Sequence, residues 1–262
     1  MKHLICLLTA CIAAATSTYA SLNSDLFAYW NFDETSGTTA SDYTNNNDGT
    51  LSGDTEWVSG KFGNALDFDG TNDHVSVGTG NPVGAGNTMT ISLWATADSL
   101  SDASNTLNGL IGKRNSSFDS TMPFHFGVKQ LKPRIERSGS NASFSAAIGT
   151  TDGWTGYKHI ALTISGTAAT VYIDGAVHGS GSYTLGTATD APITIGSTYP
   201  EKAEWDGQID DVAMWSRALS ATEIQSIYNA NAALGTLIPE PSSYALLLGL
   251  ATLGAAAIRR PR

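Results

Sequence analysis

Only two cysteines occur in the 262 residues, Cys6 and Cys11, and both fall within the first twenty positions. A chain cut after Ala20 therefore has no thiol, which excludes disulfide staples, a cysteine nucleophile and cysteine-ligated metal. Positive charge is scarce as well: between Ser21 and Ile238, ten lysines and arginines stand against twenty-three aspartates and glutamates, a net charge of −13. Nucleic acid and anionic membranes are poor partners for such a body, and its acidity serves either solubility outside the cell or cation binding. No long amphipathic helical pattern appears before the end of this stretch. Its four histidines, His74, His125, His159 and His178, lie in no HExxH or nucleophile-elbow context. The Gly-rich segment from Gly78 to Gly86 leads into neither Lys-Ser/Thr nor a helix, so it is no phosphate loop.

Both ends carry processing information instead. Met1-Lys2-His3, the apolar run from Leu4 to Ala15 and the small residues of Thr18-Tyr19-Ala20 have the order of a secretory signal peptide, residues 1–20. Leu8-Thr9-Ala10-Cys11 also matches a lipobox, though with an unusually short apolar region before it. At the other end Pro239-Glu240-Pro241 leads into an apolar run from Tyr244 to Ile258, followed by Arg259-Arg260-Pro261-Arg262. The run is shorter than the ~20 residues that span a bilayer comfortably. This three-part tail, residues 239–262, resembles the PEP-CTERM sorting signal. The resemblance implies a Gram-negative bacterium in which the apolar helix is held transiently in the inner membrane and an exosortase-type enzyme removes it. The protein is then delivered to the cell surface, outer membrane or extracellular matrix, and a basic end that stays inside agrees with the charge asymmetry.

Residues 22–235 between these ends read as an all-β domain. Thr88 to Ala97 alternates most cleanly, with Met89, Ile91, Leu93 and Ala95 on one face and Thr90, Ser92, Trp94 and Thr96 on the other. A tryptophan on the polar face predicts an open or concave sheet surface. Further short strands are expected over 26–32, 110–113, 124–129, 132–137, 144–148, 157–165, 170–174 and 192–197, each bounded by turn residues. Asp69-Gly70 closes a hairpin in which Leu66 and Phe68 face Val75 and Val77, with Asp73 in phase. The turn-rich segment 35–53 reads as surface loop, and the acidic spacing of Asn45 to Gly49 does not match an EF-hand. From Gln208 to Trp215 a strand would place Asp210, Val212 and Met214 on one face. Ser220 and Glu223 then form a capping box, and Ile224, Ile227 and Tyr228 share one face of a short helix. Some dozen short strands, one late helix and no repeat of fixed period predict an antiparallel jelly-roll β-sandwich.

In order along the chain, Leu26 to Glu34, Trp57 to Val75 with its Ala-Leu-Asp-Phe-Asp-Gly centre, Ile91-Ser92-Leu93-Trp94, Tyr157 to Thr163, Val171 to Gly175, and Gly207 to Val212 with Arg217-Ala-Leu-Ser resemble laminin-G-like, concanavalin A-like jelly-roll domains. The likeness covers 22–231. Tyr157 stands where the family generally has Trp. It implies a non-catalytic binding or adhesion module, often for carbohydrate, and commonly a calcium ion near the terminal strands. Glycosidases share the fold, but they place two carboxylates ~5 Å apart in the retaining case. The acidic cluster from Glu204 to Asp211 lacks the Glu-x-Asp-x-Glu strand of jelly-roll glucanases, so no enzyme is expected.

Two kinds of site follow. Asp33, Asp73 and Asp210 are the candidate calcium ligands, since a hard cation takes six to eight oxygens and an inward Asp needs a partner; the alternative is that each ties a turn by accepting backbone N–H bonds. For polysaccharide or a glycoconjugate, Trp94, Tyr199 and Trp205 are the candidate stacking residues, the last two in the polar loop TYPEKAEWDG. Trp57 and Trp154 are further loop aromatics of this kind, and core or turn packing is the stronger reading for Trp57. A structural surface or matrix protein without a sugar ligand is the competing function.

Overall fold

The computed structural model describes residues 22–103, 106–114, 122–144, 146–187, 190–199 and 202–238. The signal peptide at 1–20 and the sorting residues Pro239, Glu240, Pro241, Arg259 and Arg260 lie outside the described residues. The chain divides into two compact units, Asp25–Ala233 and a smaller one formed by Met1–Ser24 with Leu234–Arg262. In the smaller unit Leu234–Thr236 makes one 3₁₀ turn. Among the described residues no helix is long and apolar enough to cross a membrane.

Unit Asp25–Ala233 is a sandwich of two eight-stranded antiparallel sheets. The first runs, in spatial order, β14 (Ala176–Ser182), β13 (Ala168–Ile173), β12 (Trp154–Ser165), β7 (Thr88–Ala97), β18 (Asp206–Trp215), β5 (Asn64–Asp69) and β4 (Glu56–Ser59), with β1 (Leu26–Trp30) also paired to β18. The second runs β11 (Ser140–Ser143), β10 (Lys132–Arg137), β9 (Phe124–Lys129), β8 (Asn108–Lys113), β15 (Ile193–Ile195), β6 (His74–Val77), β3 (Gly49–Ser52) and β2 (Thr39–Ala40). A separate hairpin pairs β16 (Ser197–Tyr199) with β17 (Lys202–Glu204). The strands β2 and β3 fall within the segment read as loop, which has no Val or Ile and is dominated by Ser, Thr, Asn, Asp and Gly. The loop between them is organised by Asp42, whose buried carboxylate accepts the backbone N–H groups of Tyr29, Thr44, Asn46 and Asn47 at 2.9–3.2 Å.

The core follows the expected period of two. Met89, Ile91, Leu93 and Ala95 of β7 lie beside Ile160, Leu162 and Ile164 of β12, and share one core with Phe124, Phe126 and Val128 of β9 from the other sheet. The polar face of β7 is not an open surface. Thr90 Oγ1 donates to the Arg217 carbonyl and accepts from Leu219 N, both at 2.8 Å, and so fastens the chain after β18 across the sheet. Helix α1 (Ala221–Ala230) then covers that face with Ile224 and Ile227 buried. Its capping box forms as read, with Ser220 and Glu223 bonding each other's backbone N–H, and Glu223 also pairs with Arg217 at 2.7 Å. Such caps satisfy the donors that a helix start leaves open.

The sequence places Asp210 with Val212 and Met214, and here the structure differs. In the β7–β18 ladder Asp210 pairs with Trp94 and Ala213 with Ser92, so Asp211 and Val212 together oppose Leu93. Asp211 takes φ 55. This is a β-bulge, and one extra residue reverses the alternation. Val212 and Met214 consequently join the core, whereas Asp210 lies on the helix-covered face opposite it. The bulge also marks where β18 exchanges β5 for β1 as neighbour, since β5 pairs with Asp206–Ile209 and β1 with Val212–Trp215.

Candidate functional site

Side chains from several elements collect around Trp94 on the helix-covered face of the first sheet. Trp94 itself is 3% exposed. Tyr228, from the last turn of α1, stacks on it with ring centroids 5.8 Å apart and 22° between planes. Phe62 meets it edge-on at 5.5 Å, and His159 of β12 lies tilted at 5.2 Å. Lys61 holds its Nζ 4.8 Å from the Trp94 ring centre and 5.4 Å from that of Phe62, within cation–π range. Here a cavity of about 340 Å³ opens, lined by Lys61, Trp94, Tyr157 and Asp174 from the sheet and its turns and by Tyr228, Asn229 and Asn231 from the helix and its C-cap.

Each wall has a local cause. Lys61 and Phe62 sit at the tip of the β4–β5 hairpin, a turn closed by the Gly60 N–H to the Gly63 carbonyl at 2.9 Å. Gly63 has φ 65 and lies against the Asp33 carboxylate, where any side chain would collide. Two aspartates fasten this turn: Asp33 accepts Asn64 N–H at 3.0 Å and Asp210 accepts Phe62 N–H at 2.9 Å. The opposite wall is the two-residue turn Asp174-Gly175 between β13 and β14, with φ 50 and 75, as a tight hairpin requires. Asp174 Oδ1 accepts His159 N–H at 3.0 Å. Gly175 passes under Tyr228 so closely that a Cβ would stand 2.9 Å from that side chain. Asn231, the helix C-cap in the left-handed conformation with φ 44, turns the chain back at the mouth of the cavity.

At and beneath the cavity, burial favours the neutral forms of Asp210, His159 and Tyr157. Burial pushes Asp210 up to about 8; Phe62 N–H opposes the shift, and the charge of Asp211 adds to it. Among the described residues its Oδ1 has no hydrogen-bond partner. Burial holds His159 down at about 3, with Nε2 2.9 Å from Ser92 Oγ and Nδ1 without a hydrogen-bond partner among the described residues. The Tyr157 hydroxyl donates to Gln208 Oε1 at 2.7 Å, and burial followed by the proximity of Asp210 keeps it well above the ordinary phenol range.

The expected convergence of Asp33, Asp73 and Asp210 does not occur. Asp33 and Asp210 hold the same turn, but Asp73 is elsewhere, 2% exposed, tying Asp54 N–H at 2.9 Å and Asp69 N–H at 3.1 Å. Its carboxylate groups instead with those of Asp54 and Asp69, within 4.8 Å of one another, in a cluster whose central member is already taken up by backbone donors. The three residues thus do not fit one calcium ion as a set. Trp205 is corrected too. It is fully buried, its Nε1 donates to Thr96 O at 2.9 Å, and it packs on Trp154 at 5.6 Å, because β16 and β17 turn the expected polar loop into a hairpin that leads it inward. Tyr199 lies on β16, its backbone paired with Lys202; as a ligand-binding side chain it is outside the described residues. Trp94 lines the cavity as its floor rather than as an exposed platform. Lys61, Tyr157, Asp174, Asn229 and Asn231 are site residues that no motif in the sequence marks, although Gly60-Lys61-Phe62-Gly63 and Asp174-Gly175 are turn signals that project their central residues.

Comparison with known proteins agrees with this architecture. Residues 69–225, more than half of the chain, match the family described as the concanavalin A-like lectin/glucanases superfamily, and residues 237–260 match the PEP-CTERM protein-sorting motif. No match was found among curated proteins. Among solved structures, domain 4 of AbnA, a GH43 extracellular arabinanase from Geobacillus stearothermophilus in complex with arabinotriose, is 18% identical with a TM-score of 0.60, over 78% of this chain and 98% of that one. The binding domain of Paraclostridial Mosquitocidal Protein 1 is 16% identical with a TM-score of 0.60, over 79% and 52%. Trypanosoma rangeli sialidase is 17% identical with a TM-score of 0.57, over 79% and 32%, so this chain spans about a third of that enzyme. At these identities the likeness concerns the fold. The extent of the family match, on a sandwich of this topology, shows that the chain belongs to the concanavalin A-like lectin/glucanases superfamily.

Proposed function

We propose that the protein is an exported, surface-sorted carbohydrate-binding module, and that the cavity above Trp94 receives a saccharide residue. The lining of that cavity carries the reading. A sugar presents apolar ring faces edged by hydroxyls, and the cavity offers the Tyr228 ring beside the amides of Asn229 and Asn231, the carboxylate of Asp174 and the ammonium of Lys61. Its volume of about 340 Å³ suits a small ligand. Asp174 is the one carboxylate on the described lining, whereas most glycosidases use a pair, which supports a non-catalytic role. The arabinanase domain solved with arabinotriose adds support from the same fold. The sorting motif supports processing by an exosortase and display at the cell surface or in the extracellular matrix. Calcium has no step in this reading, because its expected ligands do not come together.

Affinity electrophoresis of the full chain in detergent, through gels containing individual polysaccharides, tests the proposal. Retardation by at least one polysaccharide is expected, with loss of retardation in the double variant Asp174→Asn, Asn229→Ala. Unretarded migration in every gel, or retardation unchanged in that variant, overturns it.

A further inference from the structure

We infer that the saccharide taken by this cavity bears a carboxylate, as a uronic acid residue does, and that Lys61 selects for it. This rests on the cavity being a saccharide site.

Lys61 lines the cavity from the hairpin tip and is half withdrawn from water. Its ammonium lies over Trp94 and Phe62, whose rings offset part of the charge but accept none of its three donors in an ordinary hydrogen bond. Among the described residues no carboxylate stands within 4.0 Å of it; the ion pairs present use Lys129, Arg134, Arg217 and His125. An ammonium in this position asks the occupant of the cavity for an acceptor, and a carboxylate supplies the strongest, charge-assisted kind. The position is also imposed rather than incidental. Asp33 and Asp210 hold the turn from its two sides, and Asp210 shares a rung of the sheet with the very tryptophan under the ammonium.

The other end of the cavity is complementary to hydroxyls. Asp174 commits Oδ1 to His159 N–H, and Oδ2 has no described protein donor. The side chains of Asn229 and Asn231 add amide donors and acceptors on the same side. A ligand with one acid group facing Lys61 and hydroxyls facing Asp174 satisfies both ends. Ammonium-bearing sugars meet Lys61 as a like charge. A doubly charged or densely sulfated ligand meets one lysine, Asp174 and a body of net charge −13.

The test is titration calorimetry on the full chain in detergent, with a xylo-oligosaccharide bearing a single glucuronic acid residue, the same oligosaccharide without it and a sulfated oligosaccharide of similar length. The uronate is expected to bind about tenfold tighter than the uncharged sugar, as one charge-assisted hydrogen bond provides, and to weaken as salt rises. Lys61→Gln should weaken the uronate about tenfold more than the uncharged sugar and so remove the preference, and Lys61→Arg should keep it. Equal binding of uronate and uncharged sugar, a preference for the sulfated one, or a uronate preference that survives Lys61→Gln overturns the assignment while leaving the saccharide site standing. Binding of none of the three by the wild type, with the electrophoresis also negative, removes both.

Discussion

Trp94 and Asp210 lie directly opposite each other in the β7–β18 ladder, so the floor of the cavity and the carboxyl that fastens its rim belong to one rung. The bulge at Asp211 creates this relationship by bringing Asp210 out of the core alternation. Lys61 then lies above the rung on the turn that Asp210 holds. Several outcomes depend on this arrangement.

Asp210 is held at about 8 in the folded protein against an ordinary 3.8. Folded protein therefore keeps a proton that the unfolded chain releases, over roughly pH 4 to 8. The stability this group contributes is full below that range and is lost as pH rises through it, by up to about 1.4 kcal/mol per unit. Asp210→Asn keeps an acceptor for Phe62 N–H and removes the titration. In urea unfolding, its stability relative to wild type should grow from pH 5 to pH 8.5; a difference constant across that range contradicts the burial of this carboxyl.

His159 has the opposite sign. With its folded value down at about 3 and the ordinary one at 6.5, the unfolded chain takes up a proton first as pH falls. Its contribution is present above pH 6.5 and is lost progressively toward pH 3, again by up to about 1.4 kcal/mol per unit. His159→Gln should flatten the acid limb of stability between pH 6.5 and 4. An acid limb as steep as that of wild type would show that the imidazole charges in place.

Gly175 and Gly166 form a matched pair. Both have positive φ, 75 and 62, but a Cβ at Gly175 meets Tyr228 at 2.9 Å, whereas one at Gly166 meets nothing within 4 Å. Gly166→Ala should cost only the left-handed conformation, about 1 kcal/mol. Gly175→Ala should cost roughly 2–3 kcal/mol in chemical denaturation, because the clash adds to that strain. It should also weaken saccharide binding by moving the Tyr228 wall. Equal costs and equal binding in the two variants would separate Tyr228 from the cavity.

Trp205 is a core residue on this account. Trp205→Ala should cost about 3–5 kcal/mol, the range for removing a buried aromatic, and leave the affinity of the folded fraction unchanged. A variant of wild-type stability with lost binding would return Trp205 to the ligand.

What could be read from the sequence was what depends on local pattern. Alternation in β7 and β12 gave the core faces and Ser220 and Glu223 gave the helix start, whereas the hairpin expected at Asp69-Gly70 is instead a connection from β5 in the first sheet to β6 in the second, because a turn signal fixes the reversal but not which sheet the next strand joins. The misplacement of Asp210 has one cause: a bulge is a single-residue register change, and Asp-Asp-Val carries no glycine to announce it. Trp94 was read from the polarity of its strand neighbours, yet Thr90 and Ser92 are polar because they bond a covering segment and His159, not because they face water. The cavity joins residues 61, 94, 157, 174 and 228, a set that only the sheet order brings together. Its charged members sit at turn tips, where sequence pattern shows the turn but not what it leans over.

The most direct measurement is a crystal structure of the chain grown with the tightest-binding saccharide from the calorimetric series. Density for a sugar residue is expected between Asp174 and Lys61, against Tyr228, with a hydroxyl on the Asp174 carboxylate and an acid group at the Lys61 ammonium. A bound sugar found on another face, with the cavity above Trp94 holding only solvent, would contradict this placement.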